Sequence, residues 1–247
     1  MQRFNMTQVT QPRKEYTEQL EDVQRNRAAV AGERKVKQGT IKFLPPLASM
    51  CCSTVTDENG YQTIRQYAAL TPEGQAAYRK YLAFASFYGA TGRTIDGLVG
   101  LIFSKDALCE VPTQLDYLKT NCDSKGSSLR SLAKKASTEA FISPRSGILV
   151  ARPSTPEGAS QLEVETKNLR PKLLHYKFES IINWDYEVVD NIEKLSLAVL
   201  KEETTVRKGF EVSVEEQYRV LELIDGVYHQ SLYGKGGSMK YLFILLK

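Results

Sequence analysis

The sequence contains few of the residues that most often bind metal or assist catalysis. Among 247 residues there are two histidines, His175 and His229, and no cysteine belongs to a Cys-x-x-Cys pair. Structural zinc sites draw their ligands from closely spaced pairs of such residues, so the sequence predicts no metal-ligating residues. The four cysteines also give no disulfide framework, and we expect reduced thiols in a protein made in a cytoplasm. They are Cys51, Cys52, Cys109 and Cys122.

The chain also lacks a long apolar run. No stretch approaches the roughly 20 apolar residues that a membrane-spanning helix needs. The first residues, MQRFNMTQVTQPRKEY, have neither the apolar core nor the small-residue cleavage site of a secretory signal. We therefore expect a protein with no membrane partner.

No catalytic constellation is visible. The glycine-rich run GATGRTIDGLVG lacks the Gly-Lys-Ser/Thr ending of a phosphate-binding loop, so its glycines are expected to allow close helix packing or a helix break. Both histidines fall in or beside predicted strands without a nucleophile near them in sequence. The acidic pairs Glu202-Glu203 and Glu215-Glu216 are expected at strand edges or in loops. We predict a protein that is not an enzyme, with no catalytic or cofactor-binding residues and no cofactor.

The charge that is present is unevenly distributed. The formal net charge is +4, and residues 1–45 hold nine Lys/Arg against five Asp/Glu, whereas the rest of the chain holds equal numbers of each sign. Pro45-Pro46 closes this segment. Residues 1–45 are predicted to form a flexible, loosely attached basic arm, which is either a solvated, partly helical tail or a contact to nucleic acid phosphates.

Helical patterns dominate the first 145 residues. A charged helix is predicted over 14–30. Thr71-Pro72-Glu73 is a helix start, followed by an apolar face from Tyr78 to Tyr88 that predicts a long buried helix. Another helix is predicted from Ser127 or Ser128 to Phe141, where Ser143-Pro144 ends it.

Strand patterns follow. A short strand is predicted over 147–151 and a polar loop over 152–170. Strands are then predicted over 172–178, 195–201, 217–223 and 227–233, with Asp225-Gly226 as a hairpin turn between the last two. The predicted fold class is α+β, with a helical N-terminal part followed by an antiparallel sheet.

Several segments together resemble the portal proteins of tailed bacteriophages, in the branch long filed only as a conserved phage domain of unknown function. The segments are AFASFYGATGRTIDGLVGLIF (83–103), GILV (147–150), IINW (181–184) and QYRVLEL (217–223). In that family a similar glycine-rich run precedes a Gly-Ser-rich helix start, which corresponds to KGSS (125–128). A GILV strand and an Ile-Asn-Trp turn come next, and the order matches from about Gly32 to Tyr233.

The resemblance implies that residues 46–233 form a portal wing-like domain. The whole protein would then be a structural subunit of a homo-oligomeric ring, usually of twelve copies, at one capsid vertex of the virion. Its partners would be terminase, capsid and head-tail connector proteins. Double-stranded DNA would pass through the ring, without sequence readout, during packaging and ejection. Portal proteins carry no catalytic site of their own.

Two departures from the family pattern concern the second half. Ala151-Arg152 stands where relatives often have an acid, and relatives continue well past the hairpin into stem, clip and crown regions. Residues 234–247 form an atypical tail ending in an apolar burst, which we interpret as a product of a frameshifted or interrupted gene, or as one final buried strand. A truncated product is not expected to form a conducting ring by itself.

Two alternatives stay open on the sequence alone. The chain could be a small nucleic-acid-binding phage accessory protein that uses the basic arm. Trp184 and Tyr186 are candidates for interface anchors, although a tryptophan in the core is the simpler interpretation.

Overall fold

Helices occupy most of the first half of the chain in the computed structural model, which describes residues 5–50, 54–56, 62–64, 70–153, 160–189, 191–234 and 239–242. They are α1 (Met6–Val9), α2 (Lys14–Ala31), α3 (Glu33–Gln38), α4 (Pro72–Phe84), α5 (Ala90–Ile102), α6 (Tyr117–Thr120), α7 (Leu129–Ile142) and α8 (Gln161–Thr166). Short 3-10 helices occur at Thr40–Lys42, Ala48–Met50, Thr113–Leu115 and Phe178–Ser180.

The larger strands follow the helices. They are β1 (Thr54–Thr56), β2 (Gln62–Ile64), β3 (Gly147–Ala151), β4 (Lys172–Tyr176), β5 (Ile181–Val189), β6 (Ile192–Lys208), β7 (Glu211–Ile224), β8 (Val227–Gly234) and β9 (Met239–Leu242). β1 pairs with β2 and β3 with β4, while β5 to β9 form one antiparallel sheet in sequence order. Helices first and an antiparallel sheet second confirm the predicted α+β class.

The chain divides into two compact units. The sheet unit comprises Met1–Glu21 and Phe103–Lys247, and the helical unit comprises Asp22–Ile102. This division differs from the predicted segments 1–45, 46–233 and 234–247, because its first boundary falls inside α2 and residues 5–21 belong to the sheet unit.

The N-terminal segment covers one face of the sheet. Asn5 and Gln8 form a reciprocal capping box that starts α1. Val9, only 3% exposed, then joins a buried cluster with the sheet residues Val199 and Val220. The structure differs here from the predicted loosely attached arm, because residues 5–21 are fixed to the sheet by apolar packing.

The helix start predicted at Thr71 is confirmed. The Thr71 hydroxyl accepts a hydrogen bond from Gly74 N at 2.9 Å, with Pro72 at the first helical position. Tyr78 is buried and donates to the carbonyl of Leu44 at 2.7 Å. The predicted buried face through Tyr88 is wrong, because the backbone leaves the helix at Ala85, and both Tyr88 and the last helical residue, Phe84, are exposed.

The glycine-rich run forms α5, and one of its glycines has the predicted packing role. A Cβ atom added to Gly92 would lie 2.8 Å from the carbonyl oxygen of Val30. Only glycine allows this approach to α2 without displacing its backbone. A helix interior also excludes the open backbone loop that phosphate binding would require.

The elements between α7 and β4 follow the predictions with one addition. Ser128 caps α7 by accepting from Ser131 N at 3.1 Å, and β3 spans the predicted residues 147–151. The predicted polar loop over 152–170 instead contains α8. The Ser160 hydroxyl caps that helix by accepting from Glu163 N at 3.2 Å, and residues 154–159 of the loop lie outside the described ranges.

The main sheet differs from prediction at one edge. β5 includes Ile181–Trp184, which were expected to form a turn, and shifts in its register at Ile181/Asn183 and Asp185/Tyr186 interrupt its alternation. The Asp225-Gly226 turn is confirmed, with φ values of 50° and 77° typical of a type I′ hairpin.

Part of the tail is a strand. Residues 239–242, as β9, pair with residues 230–233 of β8, which agrees with the interpretation as a final strand. The rest of the tail, at 235–238 and 243–247, lies outside the described ranges.

Candidate assembly surfaces

The first exposed apolar surface lies on α5 and is named the α5 ridge. It consists of Leu98, Leu101 and Ile102, which are spaced at three and four residues and so share one helix face. All three are exposed, and Leu101 reaches 73%. The adjoining face buries Ile95 and Val99. α5 therefore buries two of these five apolar residues within the helical unit.

Two glycines accompany this ridge. A Cβ atom added to Gly97 or Gly100 would meet no atom of the described residues within 4 Å. Packing against this described part of the chain therefore requires neither glycine. The absence of side chains at these positions leaves the α5 backbone accessible beside the ridge.

The second surface is a two-stranded arm formed by residues 203–216 and named the β arm. β5 pairs with β6 only as far as Leu200, and β8 pairs with β7 only from Gln217. Within the described part of the chain, the strands of the β arm therefore pair with each other alone. An isolated two-stranded hairpin is marginally stable in water, so the β arm is suited to contact with a partner.

The tip of the β arm carries an aromatic side chain. Gly209 adopts φ 64° at the first position of a two-residue turn, as type II′ turns require. Phe210 follows it and is 100% exposed, and Val212 and Val214 behind it are also exposed. Exposed apolar residues grouped in this way mark interaction sites more often than chance exposure does.

An alternating stack of rings and guanidinium groups lies beside β5. Tyr16 and Phe178 are stacked with ring centroids 5.2 Å apart. The Arg145 guanidinium carbon lies 4.9 Å from the Phe178 centroid and 3.6 Å from that of Trp184, and Arg13 lies 5.2 Å from Trp184. Each cation-π contact contributes roughly 0.5–2 kcal/mol.

Hydrogen bonds complete the attachment of this stack. Arg13 N donates to the carbonyl of Ile182 at 2.9 Å, and its guanidinium donates to the carbonyl of Trp184. Arg145 donates to the side-chain oxygen of Gln19, and burial lowers the pKa of Arg145. Trp184 is therefore half-buried and engaged within its own chain. Tyr186, the other candidate anchor, is exposed.

A shallow groove of about 410 Å³ adjoins the stack. Its polar side chains are engaged within the protein: Gln8 accepts from Asn5 N at 3.0 Å, and Asn183 donates to the Gln11 carbonyl at 3.4 Å. The groove therefore serves the attachment of the N-terminal segment to β5.

The acidic pair Glu202-Glu203 was predicted at a strand edge or loop, and for Glu202 this is wrong. Its side chain is 13% exposed in the middle of β6. It accepts two bonds from Arg219, at 2.6 and 3.1 Å, one from Gln217 at 2.6 Å and one from Tyr176. Burial raises the pKa of Glu202, but the bonds from Arg219 and Tyr176 outweigh it and hold that pKa below its ordinary value.

Both histidines lie in strands, as predicted, and within the described strand pairings neither pairs across its sheet with a serine or a cysteine. His175 in β4 faces Ile148 across the hairpin, and its Nε2 is buried without a hydrogen-bond partner among the described residues. Burial lowers the pKa of His175. His229 in β8 pairs with Glu222. Over the described ranges, no group of three or more His, Cys, Asp or Glu residues is arranged to hold a metal ion.

No known family model matches the chain, and a search of curated proteins found no significantly similar sequence. Among the helices within the described ranges, none has the length and apolar character needed to cross a bilayer.

We expect Arg145→Ala to reduce the free energy of unfolding by roughly 2–3 kcal/mol, because it removes two cation-π contacts and the bond to Gln19. Urea unfolding, followed by the fluorescence of Trp184, measures this loss of stability. Trp184 is the single tryptophan and belongs to the stack. Arg25→Ala is the control, since Arg25 makes an exposed helical ion pair with Asp22 and should change stability by less than about 0.5 kcal/mol. Equal effects of the two variants would contradict the proposed role of the stack.

We expect Arg219→Met to cost roughly 3 kcal/mol or more, because it leaves the Glu202 carboxylate buried and unpaired. The double variant Glu202→Leu/Arg219→Met should recover much of that loss, since no isolated charge remains.

The same pair predicts a pH dependence. The pKa of Glu202 is lower folded than unfolded, so its stabilisation is complete above the unfolded pKa of roughly 4.3 and is lost as the pH falls through the folded pKa. Glu202→Gln should flatten the acid side of the stability profile measured by urea unfolding, and an unchanged profile would argue against the pairing.

Proposed function

We propose that the chain is a non-enzymatic structural subunit of a tailed-phage portal ring, set at a capsid vertex of the virion. The observation that carries this proposal is the ordered series of portal-like segments from about Gly32 to Tyr233. In the fold, residues 90–102 of the glycine-rich segment form α5, GILV lies on β3, IINW at the start of β5 and QYRVLEL on β7.

The distribution of exposed apolar residues supports an assembly role. The α5 ridge and the β arm are two different surfaces of one chain. A ring built by cyclic symmetry uses heterologous contacts, in which one surface of each copy meets a different surface of the next. A chain with two dissimilar apolar surfaces suits this kind of contact better than it suits an isolated monomer.

Passage of double-stranded DNA through such a ring requires contacts that do not read bases. Lys and Arg provide them by binding phosphate and releasing counterions. The helical unit, residues 22–102, holds ten Lys/Arg against six Asp/Glu, whereas the rest of the chain is balanced. In this proposal the terminase supplies the ATPase activity, and the ring supplies shape and docking surfaces for terminase, capsid and connector proteins.

Native mass spectrometry of the purified chain, with negative-stain imaging, tests the proposal. We expect a closed oligomer of one defined size, because heterologous contacts repeat until the ring closes. That result would also contradict the interpretation of the chain as a truncated product. A monomer at every concentration would contradict self-assembly of this chain and agree with the truncated interpretation.

A nucleic-acid-binding accessory protein is the second candidate, favoured by the positive charge of the helical unit. In this case Arg34→Gln/Lys35→Gln, a consecutive exposed pair in α3, should weaken binding to duplex DNA in a low-salt gel shift. The salt dependence should become shallower by about one unit of slope per lost phosphate contact. Lys134→Gln/Lys135→Gln, an exposed pair on α7 in the sheet unit, is the matched control. If both double variants weaken DNA binding equally, the binding is general charge attraction. That result would remove this candidate function.

A further inference from the structure

We propose that the β arm of one copy docks on the α5 ridge of a second copy of this chain. This inference rests on the proposed ring function and names the two surfaces that form its repeating contact. The donor contributes Phe210 at the tip of the arm, and the acceptor contributes Leu98, Leu101 and Ile102.

The donor surface is an exposed apolar surface of the β arm. Phe210 is completely exposed, and Val212 and Val214 extend the apolar surface toward the root of the arm. With six residues per strand, the arm reaches roughly 20 Å beyond the paired part of the sheet. A projecting hairpin ending in an aromatic residue presents the type of side chain that dominates binding energy at protein interfaces.

The acceptor surface combines exposed aliphatic side chains with accessible helix backbone. The α5 ridge presents three adjacent aliphatic side chains, and Gly97 and Gly100 leave open space at the helix backbone. A planar ring laid beside a helix needs such gaps in order to contact several aliphatic groups at once. The ridge therefore offers both the apolar contacts and the room that Phe210 requires.

Charge selects a second copy as the occupant. Residues 203–216 contain four acidic and two basic side chains, whereas the helical unit has four more basic than acidic residues. Glu203, Glu211 and Glu215 are exposed on the arm. An acidic arm approaching a basic helical unit is attracted, and opposite charges around an apolar contact fix the choice of partner and its register.

This contact is heterologous, because the arm and the ridge are different surfaces. Each copy donates its β arm to one neighbour and accepts the β arm of another on its α5 ridge. In an open chain, only the two end copies lack one of these two contacts. Closure of such a series gives a ring, and failure to close gives a filament.

Mixed-cysteine cross-linking tests the contact directly. In a background whose four native cysteines are replaced by alanine, Phe210→Cys and Leu101→Cys are prepared as separate variants, mixed and oxidised, and the linked peptides are identified by mass spectrometry. A bond between positions 210 and 101 then joins two different copies. The matched control is Phe210→Cys mixed with Leu108→Cys, because Leu108 is also an exposed leucine, at 88%, but lies outside the ridge.

We expect the 210–101 bond to form and the 210–108 bond to be at least about tenfold weaker in yield. Phe210→Asp should raise the dissociation constant of the oligomer about tenfold or more, since it places a charge in an apolar contact. Val188→Asp, at an exposed apolar position on β5, is the control and should leave assembly unchanged. Circular dichroism confirms that each variant is folded.

The outcomes separate this inference from the proposed function. A ring that forms in the wild type without the 210–101 bond, and that tolerates Phe210→Asp, overturns the inference and leaves the portal proposal standing. A 210–101 bond in a protein that makes only open chains supports the docking and contradicts the ring. A wild-type monomer with no 210–101 bond overturns both.

Discussion

The guanidinium group of Arg145 lies between the rings of Phe178 and Trp184, and the attachment of the N-terminal segment to the sheet depends on this contact. Tyr16 continues the stack on the far side of Phe178, and Arg13 approaches Trp184. The segment thus reaches the sheet through rings and cations as well as through Val9. Burial lowers the pKa of Arg145 and so disfavours the charged guanidinium. The cation-π contacts nevertheless depend on that charge. A guanidinium tolerates the cost better than an ammonium, because it is planar and more weakly hydrated.

This attachment determines which parts of the sheet remain open. Arg13 bonds to the backbone of β5 at Ile182 and Trp184, so the first part of that edge strand is covered. β6 and β7 continue beyond β5 and β8, so their outer portions form the β arm. The buried pair of Glu202 and Arg219 lies at the root of the arm, where the sheet narrows from several strands to two. A fixed root allows an otherwise marginal hairpin to project in a defined direction.

Local chemistry made some elements predictable from sequence. Thr71 and Ser128 act as caps through their own hydroxyl groups, and Asp225-Gly226 adopts positive φ angles that few other pairs accept. β5 was missed because two register shifts interrupt its alternation. The outer halves of β6 and β7 were missed because both faces are solvated, so no apolar alternation marks them. Glu202 was misplaced because its partner Arg219 lies on another strand, and no spacing rule along the chain connects the two. The exposure of Phe210 likewise follows from strand lengths and not from the residues beside it.

The glycine-rich helix α5 carries apolar residues that remain exposed in the fold of this chain. Ile95 and Val99 account for the core contribution of α5, whereas Leu98, Leu101 and Ile102 remain exposed at an energetic disadvantage in water. Helical periodicity alone would place all five in a core. Three of the five are exposed, so the stability of the isolated chain does not explain their presence. In the proposed assembly, a second copy would bury this exposed apolar surface of α5.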